Sequence, residues 1–156
     1  MSLNGYKIYN VKGDGNCLYR AIIQGYNRIW SKRKLGKVEE DILSSLLKRK
    51  VLSAICKSKR YERNIIKELK NNYGLKGGSL FKTYCECQKR GLKCFGINAF
   101  KWGGRNEIKE MVKILKCNII VYVKDGKGYK KHIHTFSKSK QTLNLLLENS
   151  HYKYMV

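Results

Sequence analysis

Cys17 stands where Gly13-Asp14-Gly15-Asn16 gives way to a helical repeat. A thiol in the first turn of a helix meets unpaired backbone N–H groups and the positive end of the helix dipole, and both favour its thiolate. Glycines at 13 and 15 let the chain turn sharply ahead of it, and the same amides suit a developing oxyanion. The chemistry this arrangement serves is attack on an acyl carbon. Such a nucleophile needs a base, and the chain offers three histidines, His132, His134 and His151. His132 and His134 lie two apart in an alternating segment with Lys130, the pattern of a polar sheet face. His151 opens an aromatic-rich segment after Glu148-Asn149-Ser150, where a rigid scaffold can aim an imidazole at a distant thiol.

The elements that must position these groups follow from periodicity. Tyr6 to Val11 alternates apolar and polar and predicts a half-buried strand, which the glycine turn ends. Leu18, Ala21, Ile22 and Tyr26 recur at three and four residues, so a helix opens at or just before Cys17. After a basic loop, Ser31 to Lys37, the acids Glu39, Glu40 and Asp41 mark a second helix start. Val38, Ile42, Leu43, Leu46, Leu47, Val51, Leu52 and Ile55 read as its core-facing stripe. Further helices are expected over about 61–73, ending at Gly74, and over 80–90 between Ser79 and Gly91, with a shorter one after Gly104. Asn118 to Val123 is an apolar, β-branched run, and Asp125-Gly126-Lys127-Gly128 predicts a hairpin to Tyr129–Phe136. Thr142–Leu147 and His151–Val156 are two more strand candidates. Helices crowd the middle and strands the C-terminal part, an α+β arrangement.

The chain has 156 residues, the size of one domain, so residues 1–156 are read as a single unit. With 42% apolar residues it can build a core. Lys plus Arg number 34 against 11 Asp plus Glu, a net +23, most of it Lys, which solvates a surface but lacks the planar fork of Arg. No run of 18 apolar residues and no signal segment is present, so the expectation is an intracellular, cytoplasmic protein that does not meet a membrane. In that reducing setting the six cysteines are expected to be free thiols, with Cys56 and Cys117 as packing residues. Cys85, Cys87 and Cys94 lack paired Cys-x-x-Cys geometry and a fourth ligand, so no metal is expected there.

The run Gly13-Asp14-Gly15-Asn16-Cys17-Leu18-Tyr19-Arg20-Ala21 resembles the cysteine motif of the ovarian-tumour (OTU) family of deubiquitinating cysteine proteases. Trp102-Gly103-Gly104-Arg105-Asn106-Glu107-Ile108 resembles that family's tryptophan-glycine element before a helix, and His151-Tyr152 its histidine motif. The three pieces fall in the family's order and bracket residues 13 to 152. The resemblance implies an OTU-like fold, a small, mostly antiparallel central sheet flanked by helices, in a monomer without cofactor. It implies Cys17 as nucleophile, His151 as general base and later acid, and Asp14 as an acid that orders the site. Trp102, Gly103 and Gly104, with Gly15 and Asn16, would shape a cleft that passes only a Gly-Gly tail. The implied reaction is hydrolysis of the isopeptide bond at the C-terminal glycine of ubiquitin or a ubiquitin-like modifier. The alternative is a basic nucleic-acid-binding module with a vestigial OTU site.

One position departs from the family. Many members carry Asp or Asn two residues after the histidine, and here Lys153 cannot accept a hydrogen bond. Either Asn149 or Asp14 orients the ring, or the site works as a dyad, or it is inactive. Because ubiquitin's recognition surface is partly basic, the few acids should face it, either Glu39, Glu40 and Asp41 or Glu107 and Glu110. The Lys-, Asn- and Ile-rich composition suits an AT-rich viral or intracellular bacterial genome, in which case the host cytoplasm is the expected location.

Overall fold

The computed structural model describes residues 3, 5–91, 95 and 104–156. Among the described residues five helices precede most of the sheet: after β1 (Ile8–Tyr9) come α1 (Cys17–Ser31), α2 (Lys37–Cys56), α3 (Lys59–Tyr73), α4 (Leu80–Arg90) and α5 (Arg105–Leu115). Then β2 (Asn118–Asp125), β3 (Gly128–His134), β4 (Thr142–Glu148) and β5 (His151–Met155) complete a five-stranded sheet in the order β1-β5-β4-β2-β3. Only β2 and β4 run parallel, and the other three pairings are antiparallel. The expected α+β architecture with a mostly antiparallel sheet is what forms.

The punctuation read from the sequence works through backbone geometry. Gly74 and Gly91 end α3 and α4 in the left-handed region, at φ 64° each, where a side chain would be strained. Ser58 caps α3 by accepting the Tyr61 N–H at 3.2 Å. Asp125 pairs with Gly128 across the Gly126-Lys127 turn, which closes the β2–β3 hairpin. Helix α1 packs against β4 and β5 on one side and α2 on the other. Its Leu18, Tyr19, Ala21 and Ile22 are fully buried, and each large apolar side chain so buried contributes roughly 1.5–3 kcal/mol. The start of α1, and with it Cys17, is therefore held from both sides.

Four expectations need correction. The first strand spans only Ile8–Tyr9, because it sits at the sheet edge and pairs β5 alone. The chain then leaves the ladder, and Val11 N–H turns to the Asn10 side chain at 3.0 Å. The strand β3 stops at His134, because Phe136 N–H is taken by Asn118 Oδ1 at 2.7 Å, which peels the chain off the sheet. The cysteines are not all free thiols: Cys56 and Cys85 form a disulfide, with Cα atoms 6.1 Å apart where α2 and α4 pack together. Cys87 is also disulfide-bonded, while Cys17 and Cys117 are free and buried. Cys94 lies outside the described residues. Finally, the apolar stripe read along α2 is two faces: Leu47, Val51, Leu52 and Ile55 are buried, whereas Val38, Ile42, Leu43 and Leu46 are exposed.

Candidate active site

The loop before α1 is built by Asp14. Its Oδ1 accepts the Asn16 N–H at 3.0 Å, and its backbone carbonyl accepts the Cys17 N–H at 3.3 Å, so the turn that presents the thiol is closed twice by one residue. The carboxylate is gripped by Arg20 one helical turn beyond Cys17, Nε to both oxygens at 3.2 Å and a terminal nitrogen to Oδ2 at 3.0 Å. The second terminal nitrogen of Arg20 meets Glu40 at 3.1 Å and Asp41. Burial raises the Asp14 pKa, but the Arg20 guanidinium and the Asn16 amide outweigh it and hold the carboxyl below its ordinary value. Burial of Arg20 is likewise outweighed by its three carboxylates, which keep it charged. Asp14 thus fixes the loop ahead of Cys17.

The same network engages the acids expected to face a substrate: Glu40 and Asp41 pair with Arg20, and Glu39 with Arg33 at 3.7 Å. Glu107 is 1% exposed and accepts Tyr84 Oη–H at 2.5 Å and the Gly104 N–H at 2.8 Å. Glu110 accepts Tyr61 Oη–H at 3.0 Å. Both hold α5 in place and neither is offered to a partner.

His151 begins β5, straight after Asn149 and Ser150, which reverse the chain at φ 52° and 62°. The antiparallel pairing of β5 with β1 sets Tyr9 opposite Tyr154, and just past the end of that ladder the Asn10 side chain reaches His151, whose Nε2 lies 2.6 Å from Asn10 Oδ1. That oxygen also accepts the Val11 N–H, which fixes the amide's orientation, so Nε2 must be the protonated nitrogen. The lone pair then sits on Nδ1, on the ring edge next to Gly13, where a Cβ would meet Cε1 and Nδ1 at 3.8 and 3.9 Å. The backbone N–H of Tyr152, the residue after His151, points at the Cys17 sulfur, as does that of Leu18. Thiol and imidazole share one open cavity of about 390 Å³ with Asn10, Gly13, Asp14 and Asn149.

The acceptor at the ring is therefore Asn10, not Asn149 or Asp14. Asn149 lines the cavity as an exposed turn residue, and Lys153 reaches across to Glu148 at 3.9 Å. Nothing in the sequence pattern marked Asn10; the only signal was its place at the exit of a strand that could pair with the last one. Gly15 and Asn16 do not line the cavity: Asn16 Oδ1 turns away to accept Lys48 Nζ–H at 2.9 Å. Gly104 starts α5, and Trp102 and Gly103 lie outside the described residues. His132 and His134 line a separate groove of about 580 Å³ between α5 and β3, with no cysteine among its described lining residues.

The thiol is not pre-activated as expected from its place on the helix. Cys17 is 1% exposed, and burial together with the Asp14 charge pushes its pKa up, against the amides of Tyr152 and Leu18. A raised pKa leaves little thiolate at neutral pH, the fraction growing only above the ordinary 9.0. Alkylation of the Cys17 peptide by iodoacetamide, followed by mass spectrometry, should therefore be slow at neutral pH and climb through pH 9. In Asp14→Asn the rise should move to lower pH, because a charge opposing the thiolate is gone. Rapid, pH-independent alkylation at neutral pH would contradict the burial argument.

Three comparisons meet this geometry. The family model for OTU-like cysteine proteases matches residues 12–152. The chain is 31% identical over 134 residues to the OVARIAN TUMOR DOMAIN-containing deubiquitinating enzyme 3 of Arabidopsis thaliana, a match covering 80% of this chain. The chain spans about half the length of that curated relative, 50% of it. Its fold is similar to the viral OTU domain protease of Dera Ghazi Khan virus, with TM-score 0.62 and 20% identity over 99% of this chain and 83% of that one. It is also similar to an OTU deubiquitinase of Wolbachia pipientis wMel bound to ubiquitin, with TM-score 0.57 and 13% identity over 98% of this chain and 96% of that one. The match spans the cysteine turn and the histidine strand alike, and the chain belongs to the OTU-like cysteine protease family.

Proposed function

We propose that the chain is a deubiquitinating cysteine protease in which Cys17 is the nucleophile, His151 the general base and acid, and Asn10 the residue that orients the ring. The observation that carries this reading is the shared cavity, where a free thiol and an imidazole with a fixed tautomer stand together. The curated relative is named a deubiquitinating enzyme, and one structural neighbour is an OTU domain in complex with ubiquitin.

Cys17 starts as the thiol, since burial holds its pKa up. Nδ1 of His151 takes the thiol proton as sulfur attacks the carbonyl carbon of the modifier's C-terminal glycine. The carbonyl oxygen becomes an oxyanion. The Cys17 N–H, whose 3.3 Å bond to the Asp14 carbonyl is the longest in the turn, is the donor free to swing towards it. The imidazolium returns its proton to the departing lysine amine, which leaves a thioester. Water, deprotonated by the same Nδ1, then hydrolyses the thioester and restores the thiol.

Ubiquitin carrying a C-terminal electrophile tests the reading. Wild-type protein should form a covalent adduct that Cys17→Ala abolishes and that His151→Ala slows by about 10² or more. The purified domain should also cleave at least one linkage in a diubiquitin and ubiquitin-like modifier panel. An adduct that survives in Cys17→Ala, or a wild type that neither labels nor cleaves, refutes it.

A further inference from the structure

Helix α2 is apolar on two opposite sides. Leu47, Val51 and Ile55 face the core, while on the far side Val38, Ile42 and Leu46 recur every four residues and are 70%, 54% and 50% exposed. Leu43, at 39%, widens the stripe. At 3.6 residues per turn the first three fall within an arc of about 80° and span about 12 Å along the axis. A helix apolar all round is normally covered all round, and grouped aliphatic side chains of this kind mark a surface that a partner covers.

The charges around the stripe choose the occupant. Arg33, Lys34 and Lys37 crowd its N-terminal end and Arg49 and Lys50 its C-terminal end, all exposed, and the nearby Glu39 is already paired with Arg33. A second copy of this chain is a poor fit, because each carries +23 and two-fold antiparallel pairing would lay Lys34 and Lys37 of one copy against Arg49 and Lys50 of the other. A bilayer is a poor fit too: Glu39 stands one turn before Ile42 and Leu43 on the exposed side, and the stripe has no Trp, Tyr or Phe.

We propose that the outer face of α2 docks an amphipathic helix of a partner protein, one that sets Leu- or Ile-type side chains four residues apart against Val38, Ile42 and Leu46 and carries carboxylates at both ends of that stripe. This face lies outside the cavity that holds Cys17, and the docking stands whether or not the chain hydrolyses ubiquitin. It also gives the basic surface a role that needs no nucleic acid: steering an acidic helix onto an apolar seat.

The probe is a fluorescein-labelled peptide of about 18 residues, Glu- and Ala-rich with leucines at every fourth position, titrated by anisotropy in about 0.15 M salt. Saturable binding is expected, weakened about tenfold or more by Ile42→Ser and by Leu46→Ser, which leave the protein's charge unchanged. A matched peptide with Lys in place of Glu should bind at least tenfold more weakly. Binding unchanged in both serine variants, or equal for the two peptides, overturns the proposal. So does a wild-type dimer in sedimentation that Ile42→Ser dissolves, or retention on phosphatidylserine vesicles that Ile42→Ser abolishes while the peptide does not bind. Both serine variants should melt like wild type, since their side chains are exposed; a variant that loses cooperative melting shows the face is packed within the chain and equally overturns it.

Discussion

Asn10→Ala lowers the kcat of the proposed ubiquitin hydrolase by on the order of 10²-fold and leaves KM nearly unchanged. The reason is geometric. Asn10 Oδ1 is the hydrogen-bond acceptor for His151 Nε2 at 2.6 Å, and it is held there by the Val11 amide at 3.0 Å. Without it the ring can rotate and can place its proton on either nitrogen, so the lone pair needed next to Cys17 is present only part of the time. Asn10→Asp, which keeps an acceptor at the same reach, should recover most of the rate. Asn149→Ala should change little, since that residue only turns the chain. Rates measured on a fluorogenic ubiquitin substrate decide this: an Asn10→Ala enzyme within a factor of about two of wild type, or an Asn149→Ala enzyme slower than it, removes Asn10 from the site.

Arg20→Met should destabilise the fold by about 3–5 kcal/mol, or roughly 10 °C in Tm, since it removes the one cation shared by three carboxylates. The Arg20 side chain is buried, and Glu40 and Asp14 are 13% and 28% exposed, so solvent screens their repulsion only in part; Asp41, at 45%, contributes less. The pH dependence distinguishes this from simple loss of packing. The Asp14 carboxyl is held below its ordinary 3.8, so its stabilising share is present above that pH and is lost as pH falls through the folded value. Denaturant melts of wild type and variant should therefore converge as the pH drops below about 4. A gap of the same size at low and neutral pH would mean that the charges are not what Arg20 serves.

Much of this was legible in the chain itself. Strand, glycine turn and helix around Cys17 follow from local rules, and so does the hairpin at Asp125-Gly126-Lys127-Gly128; both came out where periodicity and turn chemistry put them. What was not legible depends on packing between distant segments. The Cys56–Cys85 bond spans 29 residues and exists because α2 and α4 lie side by side. The partners of Arg20 were read as a helix-start signal and a substrate surface, because nothing local ties residue 20 to residues 40 and 41. Asn10 was missed for the same reason, its ring partner lying 141 positions away. The two faces of α2 are a different case. The step from Leu46 to Leu47 turns 100° about the axis, so the spacing alone already separated Val38, Ile42 and Leu46 from Leu47, Val51 and Ile55.

The pairing of the first strand with the last has a consequence for biosynthesis. A ribosome makes Asn10 and Cys17 well before the imidazole they wait for, which emerges 134 residues after the thiol, on β5. Until β5 slots between β1 and β4, the nascent chain carries a thiol without the His151 imidazole beside it. Threading of β5 is the event that completes the proposed hydrolase, and a polypeptide stopped before residue 151 lacks the imidazole that hydrolysis would need.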